Sequence, residues 1–216
     1  ADPKPGLYEN DWWKFVIPEP QDDIGLRHHV MPYQKPHPPI GVAGVSPNSP
    51  TLKLAGKFGW IPMSINLTPP ELLHTHWDAV EEGARDAGKT ADRSLWRVAR
   101  EVFIADSTAE ARKMVRDGVI GRDFNQYFIR ALTKAGMLRV MKTDPDMPDS
   151  DVTVDYLIDN VFVVGSVEEV TQKLNDINGD LGGFGTLLAM GHEWEPYDAW
   201  LDSMTALQNE VIPNIK

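Results

Sequence analysis

From residue 40 onward the chain alternates between short apolar runs and longer stretches with helical spacing. The runs at 40–45, 60–65, 96–105 and 186–190 have the length and content of buried strands. Between and after them, 51–57, 69–87, 108–116, 167–178 and 196–211 bring apolar residues back every three or four positions, the spacing of one helix face. Strands alternating with helices predict a parallel sheet with right-handed crossovers, hence an α/β fold. Residues 118–160 break this rhythm. "RDFNQYFIRALTKAGMLRVMK" reads as helical and "TDPDMPDSD" as a loop, so the segment is expected to be a helical insertion or lid-like excursion before a short extended piece at 161–164. Residues 1–39 differ in kind. They are rich in Pro, Trp and His without clear periodicity, and the prolines forbid a helix, so an extended lead-in over a surface is expected. The chain therefore divides into 1–39 and 40–216.

Helix starts carry a repeated device. "TPPE", "STAE" and "SVEE" each place a hydroxyl residue (Thr68, Ser107, Ser166) three positions before an acid (Glu71, Glu110, Glu169). This is the capping box, with Pro at the first helical position in one case. The turn "SPNSPT" has the cap and the Pro but no acid, and Leu52 stands where the carboxylate stands elsewhere. A helix start exposes unpaired N–H groups and partial positive charge. Ser46, Asn48, Ser49 and Thr51 surround this one with small neutral groups, as an anion site requires. An ordinary Ser-Pro cap has the same appearance, so both readings stand.

Composition narrows the field. The 216 residues carry a formal charge of −11 and are 42% hydrophobic. That is a globular chain able to bury a core, with a surface unsuited to nucleic acid or anionic membranes. No run reaches the roughly 20 apolar residues needed to span a bilayer. The absence of cysteine removes disulfides, thiolate metal sites and thiol nucleophiles, and a cytoplasmic location is expected. The start "ADPKPGLYENDWW", without an initiator Met, reads as internal.

Other candidate chemistry is sparse. His28, His29 and His37 lie in the lead-in without metal-ligand spacing, and no metal site is expected. His74 and His76 are two apart on a helix and point to different faces. His192 follows the last strand, where α/β active sites gather, and is a candidate for a functional role. Arg97, Arg100 and Glu101 share a strand and are expected to pair with one another. "GDLGGFG" precedes a strand, so it is no dinucleotide fingerprint.

The stretch "PYQKPHPPIGVAGVSPNSPTLKLAGKFGWIPMS", followed by "DNVFVVGSVEEVTQKL" and "FGTLLAM", resembles the luciferase-like flavin-dependent monooxygenases, nearest to the limonene, alkanal and diketocamphane branch. The resemblance runs from about Trp12 to the C-terminus. It implies a (β/α)8 TIM barrel, usually dimeric, that uses reduced FMN from a separate flavin reductase, together with dioxygen, to oxygenate a small apolar substrate such as a terpene, ketone or aldehyde. It places the FMN phosphate at the turn of Ser46, Asn48, Ser49 and Thr51. Only about four strands are visible, which matches the C-terminal half of such a barrel, completed by the missing half, a partner or a second copy. The family's proposed catalytic residues lie in the other half, so none is assigned. Met63, Ile65, Leu188 and Met190 either line a pocket or are plain core. A non-catalytic flavin-binding protein of shortened barrel form and a deazaflavin-dependent oxidoreductase are the alternatives.

Overall fold

The computed structural model describes residues 4–26 and 32–216; the His28–His29 pair lies outside them. The chain forms two compact units, Ala1–Pro39 and Ile40–Lys216. In the first, β1 (Gly6–Glu9) and β2 (Lys14–Ile17) pair antiparallel, with Tyr8 opposite Phe15. Their rings stack 5.4 Å apart. The Asn10 side chain makes the turn by accepting from the N–H groups of Trp12 and Trp13, a bonding mode that suits Asn to tight turns. The segment expected to run as a single strap thus folds back on itself.

The second unit contains β3 (Gly41–Gly44), α1 (Pro50–Phe58), β4 (Ile61–Ser64), α2 (His74–Asp86), β5 (Arg97–Arg100), β6 (Val102–Ile104) and α3 (Thr108–Asp117). The excursion follows as α4 (Val119–Asp123), a π-helical turn (Phe124–Phe128), α5 (Ile129–Lys134) and α6 (Val154–Asn160). The chain closes with β7 (Val163–Gly165), α7 (Val167–Leu181), β8 (Thr186–Ala189) and α8 (Tyr197–Ala206). The strands β3-β4-β5-β8 form one parallel sheet in that order, and β6 pairs with β7 in a second. Among the described residues β3 and β8 are each paired on one side only, so the sheet is open and does not close into a barrel.

The run 96–105, expected as one strand, is two. The chain changes partners at Glu101. The Arg100 carbonyl accepts from Met190 N–H at 2.9 Å, and the Glu101 carbonyl accepts from Val163 N–H at 2.8 Å. Both sides of the break are short β-forming apolar runs, and only the Arg100-Glu101 pair stands between them, which is why the sequence reads as one strand.

Helices cover one face of the four-stranded sheet. Leu52, Leu73, Trp77, Val80, Trp96 and Val98 form its core. There α1 and α2 cross with backbones in near contact. A Cβ on Gly56 would lie 1.9 Å from the Val80 carbonyl oxygen, and one on Gly83 1.8 Å from that of Lys53. The excursion has a core of its own, in which Phe124, Leu138, Met141 and Leu157 pack with Phe103, Val164 and Trp200. It is a packed subdomain, not a detached flap. Its last helix, α6, falls between the expected loop and the expected extended piece, where no element of its own was assigned. It is only seven residues long, too short for a periodic signal, and Thr153 caps it by accepting from Tyr156 N–H.

Ser107 and Ser166 cap their helices as expected, accepting from Glu110 and Glu169 N–H. The Glu169 carboxylate, however, turns to Thr108 and Lys173. Thr68 departs further. Its hydroxyl donates to the Val45 carbonyl at 2.9 Å, and a 3₁₀ turn (Pro70–Leu72) separates it from α2.

Candidate functional site

Parallel strands end on a common edge, and α/β proteins place ligands in the loops beyond the C-terminal ends. Here that edge collects the turn after β3, Asn66 after β4, Glu101 after β5 and His192 after β8.

The turn after β3 contains the four predicted residues, and they divide into two kinds. Asn48 takes a left-handed conformation (φ 51°), which Asn tolerates better than most residues. Ser49 is buried, and its Oγ lies 2.9 Å from Thr51 Oγ1. Thr51 Oγ1 in turn donates to the Ala43 carbonyl at 2.7 Å. With that proton committed, Ser49 must be the donor of the pair. Both hydroxyls therefore hold the turn in shape. Ser46 Oγ and the Asn48 side-chain amide have no hydrogen-bond partner among the described residues. No side chain caps α1, and its first turn holds no acid. Its first internal bond, Lys53 N–H to the Ser49 carbonyl at 3.0 Å, leaves the amides of Thr51 and Leu52 open.

A buried hydrogen-bond chain supports this turn from below. His76 is fully buried, and burial lowers its pKa from 6.5 to about 4, with the Arg100 charge acting in the same direction. The neutral ring donates from Nε2 to the Ser46 carbonyl at 3.1 Å. Nδ1 must then accept from Ser64 Oγ, 2.9 Å away. Ser64 Oγ itself accepts from Trp96 Nε1 at 2.9 Å. Each donor has one acceptor, so the tautomer is fixed by geometry.

Arg100 and Glu101 do not pair, contrary to expectation. Adjacent strand residues point to opposite faces, a rule the sequence already made available. Arg100 is buried on the helix side. Its Nη1 donates to the Ala99 carbonyl at 2.9 Å, while Nε and Nη2 have no partner among the described residues. Burial lowers its pKa to about 10, so it remains a cation at neutral pH.

Glu101 is fully buried and satisfied differently. Asn66 Nδ2 donates to Oε1 at 2.5 Å, and His192 Nε2 to Oε2 at 2.7 Å. The other ring nitrogen of His192 donates to Asp123 Oδ2 at 2.9 Å. Two carboxylate acceptors require both ring nitrogens to carry protons. The hydrogen bond that the ring donates to Glu101, joined by that to Asp123, raises the His192 pKa to about 9. Sequence reading found His192 but not Asn66 or Asp123, which come from other segments and share no motif with it.

The opposite face of the sheet carries exposed Arg97 and Thr186 beside apolar residues. Ser64 faces α2, so Met63 points away from the helices. Leu187 and Ala189 pack into the helix-side core, which puts Leu188 on the same open face as Met63. Both are half-buried, as are Ile65 and Met190. His37 is exposed, 2.8 Å from the Pro38 carbonyl, and His74 lies 2.7 Å from that of Glu71. Among the described residues no cluster of His, Asp and Glu could hold a metal, and no helix is long and apolar enough to cross a membrane.

Comparison with known proteins places this arrangement. A model of the luciferase-like monooxygenase family matches residues 18–183. The 3,6-diketocamphane 1,6-monooxygenase of Pseudomonas putida is 35% identical over 98% of this chain and 57% of its own length. Limonene 1,2-monooxygenase of Rhodococcus erythropolis is 30% identical over 86% of this chain and 46% of its own. The oxygenating constituent of 3,6-diketocamphane monooxygenase, a type II Baeyer-Villiger monooxygenase solved in complex with FMN, superposes with a TM-score of 0.79 at 34% identity. That match covers 99% of this chain and 59% of the other. The chain thus spans about half the length of the curated relatives it matches.

Proposed function

The chain belongs to the luciferase-like monooxygenase family, and we propose that it forms the phosphate-binding part of an FMN-dependent monooxygenase. In this reading reduced FMN from a separate flavin reductase, with dioxygen, serves to oxygenate a small apolar substrate such as a terpene, ketone or aldehyde. The observation that carries it is the open start of α1. A helix N-terminus free of acid and of any side-chain cap suits a phosphate in both hydrogen bonding and charge.

The amides of Thr51 and Leu52, with Ser46 Oγ and the Asn48 amide, would hold the phosphate. Ser49 and Thr51 keep the turn closed against Ala43, and His76 fixes the Ser46 carbonyl from beneath. FMN, when bound, supplies the oxygen chemistry. The protein's own contribution is to bind, orient and exclude water. The half-buried apolar side chains of Met63 and Leu188 on the open face serve that last purpose. We read the open sheet as the C-terminal half of a (β/α)8 barrel, closed in the working protein by the other half or by a second copy. Uncovered edges at β3 and β8 favour that, since such edges invite further pairing.

The test is an FMN titration followed by quenching of flavin fluorescence, with Ser46→Ala/Asn48→Ala alongside. Binding that inorganic phosphate displaces, and that weakens about tenfold in the double variant as two neutral hydrogen bonds are lost, is the expected result. Unchanged affinity in the variant would remove the phosphate assignment. Tight retention of a deazaflavin in place of FMN would replace the cofactor.

A further inference from the structure

The loop after β8 is held by charge. His192 joins it to Glu101 at the end of β5 and to Asp123 on α4. Next to it, Glu193 Oε2 accepts from Arg122 Nη2 on the same helix at 2.7 Å. Three segments separate in sequence meet in this one group. The helix that supplies Asp123 and Arg122 passes directly into the π-helical turn Phe124–Phe128, a distortion that recurs at functional positions. The extra residue in that turn accompanies Asp123 facing His192 while Phe124 is buried in the excursion's core.

We propose that His192 is a positioning residue: it staples the loop 190–196 to the strand-end face and so builds the wall of the site opposite the phosphate turn. The wall role rests on the flavin reading above; the staple does not. The order β3-β4-β5-β8 puts three inter-strand steps, about 14 Å, between the turn and this loop. A mononucleotide anchored at the turn and laid across the strand ends runs toward it. The same loop carries Trp194, half-exposed and stacked on Trp200, an aromatic surface whose position depends on the staple. Both ring nitrogens of His192 are engaged by carboxylates, so it does not itself donate to a ligand.

The charged groups facing the ring are Glu101 from β5's end, Asp123 and Arg122 from α4, and Glu193 from the loop itself. Hydrogen exchange of the Met190 and Glu195 amides, bonded to the Arg100 and Glu193 carbonyls, tests the staple directly. His192→Gln should speed their exchange about tenfold or more, the effect of losing one charge-assisted hydrogen bond, while α1 and α2 keep their protection. Loop exchange equal to wild type would overturn the proposal. Wild-type protein gives the same answer without mutation. After correction for intrinsic rates, loop protection should hold at neutral pH and fall above about pH 9, where the ring loses its second proton. Constant protection there overturns it equally.

FMN titration then tests the wall. His192→Gln should weaken FMN and reduce the quenching of its ring fluorescence, while the concentration of inorganic phosphate that half-displaces FMN from the turn, corrected for FMN affinity, stays as in wild type. Wild-type FMN affinity in a variant with a freed loop would refute the wall role. If wild-type protein binds no FMN, the flavin reading and the wall fail together, and the exchange result alone decides the staple.

Discussion

Gly83→Ala is a direct probe of how α1 is seated. A Cβ at this position would meet the Lys53 carbonyl oxygen at 1.8 Å, and the obstacle is backbone, so no rotamer change relieves it. Restoring an ordinary contact of 3.4 Å requires the helices to part by about 1.6 Å. A gap of even 0.5–1 Å forfeits roughly a quarter to a half of the dispersion energy across a contact. Overpacking a tight interior costs about 1–3 kcal/mol, and an unyielding backbone obstacle puts this case in the upper part of that range, about 2–3 kcal/mol. Alanine recovers about 1 kcal/mol over glycine in a helix interior. The net expectation is destabilisation of about 1–2 kcal/mol, with Tm lowered by about 2–8 °C for a chain of this size. Thermal unfolding followed by circular dichroism measures it. Because α1 presents the turn at its N-terminus, FMN affinity should fall in the same variant. A Tm at or above wild type would show that the helices have room to spare, and the close crossing would be refuted.

Three further predictions follow from other contacts. Ser49→Ala combined with Thr51→Ala should weaken FMN about tenfold by releasing the turn, one to two hydrogen bonds' worth, with an unchanged far-ultraviolet spectrum; full affinity would show that the hydroxyls do not shape the site. Arg100→Met should leave stability unchanged or raise it by about 1 kcal/mol or more, because a poorly paired buried cation is replaced by an apolar side chain; a lower urea midpoint would reveal a partner for Nε and Nη2. Stability should fall on both sides of neutrality. His192 holds its proton more tightly when folded, so its contribution is complete below about pH 6.5 and is lost as pH rises through about 9. His76 does the reverse, contributing above 6.5 and losing that contribution as pH falls toward 4. Urea midpoints across that range check both, and His192→Gln should abolish the alkaline loss alone.

Much of the architecture was legible because it rests on local rules. Strand and helix periods, two of the three hydroxyl caps and the acid-free turn could all be read from consecutive residues, whereas the return bond of the capping box, from the cap N–H to the acid, did not form at Ser166. What escaped depends on contacts between segments. The strand's change of partners at Glu101 was missed because the adjacent charges Arg100 and Glu101 were read as a pair within one strand and not as the junction of two. The pairing of Arg100 with Glu101 was misjudged by treating charge as a property of the strand and not of its two faces. Asn66 fits a glycosylation sequon in sequence, yet in the structure it is buried against Glu101. The turn and its missing acid could be read from the sequence, but that Ser49 and Thr51 are tied to each other and to the Ala43 carbonyl could not. The lead-in's hairpin was hidden by its prolines, which mark where a helix cannot form without saying what pairs with what.

The register of the main sheet also has a consequence for the order of events during synthesis. Arg97 pairs with Thr186, about ninety residues later in the chain. At about 5–20 residues per second, β5 therefore waits roughly 5–20 s on the ribosome for its neighbour. Throughout that interval one side of a strand rich in buried residues is a free template for other nascent chains. The pairing of β6 with β7 closes earlier and anchors the excursion before β8 exists. Slow translation or a truncation before residue 186 should thus channel the protein into aggregates, even though every helix of the first crossings has already been made.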